Sequence, residues 1–70
     1  MMSKGTNTMK TVNHGYYETV VLAERGNTTL EKNIKTGEIA TYGFGGYFIL
    51  PAPKGHSEKE LVRMFNDCEF

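Results

Sequence analysis

Few side chains in this sequence combine the residue types and spacings that chemistry requires. The candidate metal ligands and nucleophiles are His14, His56 and Cys68, and no paired spacing such as C-x-x-C or H-x-x-x-H links them. The sequence also contains no G-x-S-x-G elbow, Walker-type phosphate loop or H-E-x-x-H motif. It therefore predicts a protein that is not an enzyme and has neither a metal site nor a cofactor.

The same three residues have ordinary structural interpretations. Each histidine stands beside a glycine, in Asn13-His14-Gly15 and Gly55-His56-Ser57. Such segments are expected to form surface loops, which predicts that both histidines are exposed to solvent. Cys68 continues the apolar stripe of a predicted helix, so a buried structural thiol is expected there.

The most unusual segment is 42–49, in which glycines alternate with aromatic residues. This pattern is typical of strands on which the bases of single-stranded nucleic acid stack. It predicts an alternative function, nucleic-acid binding through Tyr42, Phe44 and Tyr47. However, no basic residue lies between Lys35 and Lys54, whereas phosphate binding requires clustered cations. The charge pattern therefore disfavours nucleic acid as the partner.

Charge and composition favour one small domain in a reducing compartment. The 70 residues suffice for one hydrophobic core, and the eight basic and eight acidic residues leave no net charge. Cys68 is the only cysteine, and the first eight residues are too polar for a signal peptide. No run of about 18 apolar residues could span a membrane. We therefore expect a cytoplasmic protein with no membrane partner.

Residue patterns predict a meander of antiparallel strands. Residues 1–15 hold few apolar side chains and are expected to form a flexible N-terminal arm, which leaves 16–70 as a single α+β domain. Up to four strands follow, rich in β-branched and aromatic residues. They are predicted at 16–24, 28–35, 38–44 and 47–50.

Turn residues predict how these strands connect. Gly26-Asn27 and Gly45-Gly46 fit two-residue hairpin turns, and Gly37 fits a left-handed position between the second and third strands. With Gly45-Gly46 as the turn, Tyr42 is expected to pair with Ile49.

A C-terminal helix is the clearest local signal. Ser57 and Glu60 have the spacing of a capping box. Leu61, Met64, Phe65 and Cys68 then follow at i, i+3, i+4 and i+7, which forms one apolar stripe. The expected fold class is therefore α+β, an antiparallel three- to four-stranded β-meander with one C-terminal helix packed on one face.

One helix can cover only one face of this sheet, which leaves apolar side chains without a partner. The predicted patch consists of Val20, Leu22, Ile39, Phe48 and Leu50. It predicts a protein-binding module whose partner is a second copy or a larger protein. A small domain of this kind is expected to act as a regulator or inhibitor by occlusion, as viral accessory proteins that block a host defence or transcription factor do.

Overall fold

The computed structural model describes residues 10–70. Over these residues the chain forms five β-strands and one α-helix. The strands are β1 (Thr11–Asn13), β2 (Glu18–Arg25), β3 (Thr28–Asn33), β4 (Ile39–Tyr42) and β5 (Phe48–Pro51), and the helix is α1 (Glu58–Asn66).

The strands form one antiparallel sheet in the order β1-β2-β3-β4-β5, in which each strand pairs with its sequence neighbour. This confirms the predicted α+β meander with a C-terminal helix, but residues 10–70 contain five strands instead of three or four. The additional strand is β1, which falls inside the predicted arm and pairs Val12 with Thr19. Its three residues include one apolar side chain, too few to show a strand pattern. Residues 1–9 of the predicted arm lie outside the described residues.

The hydrophobic core lies between α1 and one face of the sheet, called the helix face below. Leu30 from β3 and Leu61 and Phe65 from α1 are buried at its centre. Lys32, on the same face of β3, reaches Glu58 of the helix at 2.9 Å. The core also receives seven partly buried apolar residues: Leu22, Ala23, Ile39, Ala52, Val62, Met64 and Phe70.

The start of α1 follows the sequence prediction. Ser57 Oγ accepts a hydrogen bond from the Glu60 amide, and the Glu60 carboxylate accepts one from the Ser57 amide, both at 3.1 Å. This reciprocal pair is the predicted capping box and satisfies two amides that the helix itself leaves free. No helix within residues 10–70 is long and apolar enough to cross a membrane.

The end of α1 corrects the interpretation of Cys68. The helix stops at Asn66, and Cys68 takes a φ of 60° and is exposed. The Cys68 amide bonds to the Phe65 carbonyl and the Glu69 amide to the Met64 carbonyl. These two bonds form a Schellman motif, which turns the chain away from the helix axis before Cys68 can join the apolar stripe.

A bulge in β2 changes which residues share a face of the sheet. Val21 pairs with Glu31 and Ala23 pairs with Leu30, so Leu22 is an extra residue between them. Because paired residues point to the same face, Val21 faces away from the helix and Ala23 faces it. A strict alternation along β2 would have placed Val21, Ala23 and Leu30 on one face.

The turns around β4 agree with the sequence in one case and differ in the other. Gly37 has a φ of 82°, which confirms its predicted left-handed position. Between β4 and β5, the Gly43 amide bonds to the Tyr47 carbonyl, which leaves a three-residue loop at 44–46. A bulge at Ile49 follows, so Tyr42 pairs with Phe48 and not with Ile49.

Candidate interaction surface

A buried polar pair occupies the face of the sheet that points away from α1. His14, in the β1–β2 loop, lies with Nε2 2.9 Å from Oε1 of Glu31 on β3. The side chains are only 7% and 3% exposed, respectively. Since a carboxylate can only accept hydrogen bonds, His14 Nε2 carries the proton that they share.

Two threonines complete the surroundings of the Glu31 carboxylate. Thr19 donates to Oε1 at 2.6 Å, and Thr29 donates to Oε2. Burial raises the pKa of Glu31, but the hydrogen bonds from Thr19, Thr29 and His14 outweigh this, so the pKa lies below its usual value of 4.5. The carboxylate is therefore ionised and its oxygens are satisfied.

Two tyrosines close this cluster on its aromatic side. The rings of Tyr17 and Tyr42 stack on His14 at centroid distances of 4.9 and 4.6 Å, and their hydroxyls lie 3.0 Å apart. Burial, the hydrogen bond to Tyr17 and nearby carboxylates raise the pKa of Tyr42 well above its usual value. Tyr42 therefore stays a neutral phenol, and its ring is part of the packed interior.

This cluster fastens the β1–β2 loop to the sheet. A histidine oriented by a carboxylate can serve as a general base, but only where a substrate can reach it. Here both groups are buried, so the arrangement supports a structural role. The burial of His14 corrects the expectation of an exposed loop histidine. The available sequence signal was Glu31, a charged residue inside a strand pattern, whose burial requires a partner.

Exposed apolar side chains concentrate on the hairpin that joins β4 and β5. Phe44 is 79% exposed, Tyr47 63% and Phe48 53%, and Ile49 and Leu50 follow with smaller exposed fractions. We call Phe44, Tyr47, Phe48, Ile49 and Leu50 the hairpin surface. Because β5 is at the edge of the sheet, side chains on both of its faces border the same rim.

Gly43 allows the hairpin to hold Tyr47 in place. A Cβ at position 43 would lie 2.3 Å from Cζ of Tyr47, so the tyrosine ring lies directly over the glycine. Any other residue at position 43 would push the ring away. The position of Tyr47 thus depends on Gly43, one of the glycines in the segment 42–49.

The five residues of the predicted protein-binding patch do not come together on one uncovered face. Leu22 and Ile39 pack against the core beneath α1. Val20 pairs with Lys32 and Leu50 with Thr41, which puts both on the helix face. Phe48 pairs with Tyr42 on the opposite face. Phe48 and Leu50 are the exposed members of the patch, and they meet only at the rim because β5 is the edge strand. The bulge at Ile49 puts Phe48 on the face opposite Leu50.

The three residues of the predicted nucleic-acid site are separated by burial. Tyr42 is only 5% exposed, and its ring contacts His14 and Phe48. Phe44 and Tyr47 remain exposed. Two of the three rings are therefore available for the stacking of bases. The sequence between Lys35 and Lys54 contains no cation that could hold the phosphates.

A cleft of about 580 Å³ adjoins the hairpin surface. It is lined by Tyr17, Tyr42, Phe48, Ala40 and Pro51, among others. This volume is in the range of small-ligand sites. Charged residues of both signs, Glu38 and Lys54, line it as well, so the cleft does not select a ligand by charge.

No family model, curated protein or solved structure matches this chain. Within residues 10–70, no three His, Cys, Asp or Glu side chains group together as a metal site. Function is therefore inferred from the exposed surfaces of the chain itself.

Proposed function

We propose that this chain is a protein-binding module whose contact surface is the β4–β5 hairpin. The observation that carries this proposal is the concentration of exposed aromatic and aliphatic side chains at one rim of the sheet. Aromatic residues are enriched at the centres of protein interfaces, and charged residues are depleted there. A module that covers part of a larger protein in this way acts as a regulator or inhibitor by occlusion.

The contacts at the base of the hairpin support the same proposal. Tyr42 anchors the base of the hairpin through its stack on His14 and its edge contact with Phe48, whose ring centroid lies 5.7 Å away. Gly43 and Tyr47 fix the beginning of the loop through a backbone hydrogen bond of 2.8 Å. Side chains presented from an ordered hairpin lose less conformational entropy on binding than side chains on a mobile loop.

Peptide selection followed by affinity measurement tests the proposal. Peptides are selected from a random displayed library against the full chain, and their affinities are measured by fluorescence anisotropy. We expect Phe44→Ala to weaken binding by about tenfold, as for a central aromatic contact. Ile34→Ala removes an exposed apolar side chain from the β3–β4 turn and serves as the control, with an expected change below about twofold.

Equal binding by wild type and Phe44→Ala would contradict the proposal, because the peptides would then bind elsewhere. A random single-stranded oligonucleotide is measured in parallel. Tight, salt-sensitive binding of the oligonucleotide that Phe44→Ala abolishes would favour the nucleic-acid alternative instead.

A further inference from the structure

The hairpin surface has the apolar area that one half of a protein interface requires. Its three aromatic side chains would each offer about 150–250 Å² if fully uncovered, so their exposed fractions together correspond to about 400 Å², and the exposed parts of Ile49 and Leu50 add to this. A standard interface takes about 800 Å² from each partner, and a little over half of that area is non-polar. The hairpin alone therefore supplies the non-polar contribution of one partner.

The surface also carries no charge. Residues 39–53 contain no Asp, Glu, Lys or Arg, and the flanking residues are one acid, Glu38, and one base, Lys54. A surface of this kind offers no charge pattern by which a charged partner could be selected. Two copies can meet there without like-charge repulsion. Because the net charge of the chain is zero, the two copies also do not repel each other at long range.

The backbone of β5 favours contact through side chains over extension of the sheet. The strand has four residues, contains a bulge at Ile49 and ends at Pro51. Bulges, prolines and short length are the features by which edge strands avoid pairing with other strands. Association at this rim therefore depends on the packing of Phe44, Tyr47 and their neighbours.

We infer that the hairpin surface binds a second copy of this chain and forms a symmetric dimer. A twofold interface brings the same patch of both copies together, so the patch must be complementary to itself. An uncharged surface of aromatic and aliphatic side chains meets that requirement without a pattern of paired charges. The inference rests on the proposed function, since it names the occupant of the same surface. It follows that dimer formation and binding of a larger partner exclude each other.

Sedimentation equilibrium of the full chain over about 1–200 μM tests the dimer. Wild type is expected to be dimeric at the upper end of this range. The Phe44→Glu variant is expected to raise the dissociation constant at least tenfold, because a desolvated charge would be placed inside the interface. Phe44 is mostly exposed, so this variant should fold, which circular dichroism and thermal melting verify. The matched control is Ile34→Glu, which puts the same charge on an exposed site of another turn and should leave the dimer intact.

Two results would overturn the inference. One is a wild-type chain that stays monomeric at about 200 μM. The other is a dimer that Phe44→Glu leaves unchanged or that Ile34→Glu disrupts equally. If the chain is monomeric but a selected peptide still depends on Phe44, the dimer fails and the proposed function stands. If neither peptide binding nor self-association depends on Phe44, both fail.

Discussion

At the scale of single residues, the fold keeps the charged carboxylate of Glu31 buried away from water. It is 3% exposed and accepts hydrogen bonds from His14, Thr19 and Thr29. A charged group in such a position is tolerated only because its oxygens have donors. The donors come from a loop and two strands that only the fold brings together, so the sequence alone does not identify them.

We predict that Glu31→Gln lowers the free energy of unfolding by about 2 kcal/mol near pH 7, since hydrogen bonds to a buried charge are weakened. The folded state holds the pKa of Glu31 below its usual value of 4.5. The stabilisation is therefore present above the pKa of the unfolded chain and is lost as the pH falls through the pKa of the folded chain.

Urea unfolding at about pH 7 and about pH 3 measures this difference, and the gap between wild type and Glu31→Gln should narrow in acid. Glu24→Gln, at an exposed carboxylate, is the control and should match wild type at both pH values within experimental error. A gap that stays constant with pH would show that the charge of Glu31 does not contribute.

At the scale of elements, the end of α1 contains a local strain. Cys68 has a φ of 60° at the position after the helix cap, where glycine is preferred. Its side chain is exposed, so replacing it removes no packing. We predict that Cys68→Gly stabilises the chain by about 0.5–1 kcal/mol and that Cys68→Val destabilises it, because a β-branched residue is disfavoured at positive φ. Urea unfolding of both variants measures the effect, and a Cys68→Gly chain less stable than wild type would contradict it.

Elements with a local signature were predictable from the sequence, and features that depend on pairing between strands were not. The capping box at Ser57 and the left-handed Gly37 depend on residues within one turn, so the sequence identifies them directly. The bulges at Leu22 and Ile49 depend on the register between strands, and each changes which side chains share a face. The bulge in β2 explains why Leu22 was placed on an open face although it packs beneath the helix. Ile39 also packs beneath the helix, because the register of β3 and β4 pairs it with Lys32 on the helix face.

The candidate interaction surface was also predictable only in part. The run of glycines and aromatic residues at 42–49 indicated an unusual segment, and Phe48 and Leu50 were expected to contact a partner. The aromatic residues of this segment differ in burial, because the Tyr42 ring packs against His14 whereas Phe44 and Tyr47 are exposed. The direction of each ring depends on the three-residue loop and the bulge after it. A two-residue turn without the bulge would have paired Tyr42 with Ile49 instead of Phe48, while Leu50 would have stayed opposite Thr41.

At the scale of the whole molecule, the sheet has one covered face and one partly covered face. The helix covers Leu30 and its neighbours, and the β1–β2 loop covers Glu31 through His14 and Tyr17. The rim formed by the β4–β5 hairpin is where the large apolar side chains concentrate. A chain of 70 residues has a small margin of stability, so burying this rim against another protein would stabilise the fold as well as form the contact.

The most direct test of the hairpin as the interaction surface is a concentration series of amide NMR spectra on the unmodified chain. The series runs from about 20 μM to about 1 mM, because association increases with the concentration of the chain. We predict that concentration-dependent shifts concentrate on residues 43–50, with small changes at the β3–β4 turn around Ile34 and at the exposed side of α1 around Arg63. Shifts confined to the cleft around Ala40 and Lys54, or spread evenly over the sheet and helix, would contradict it.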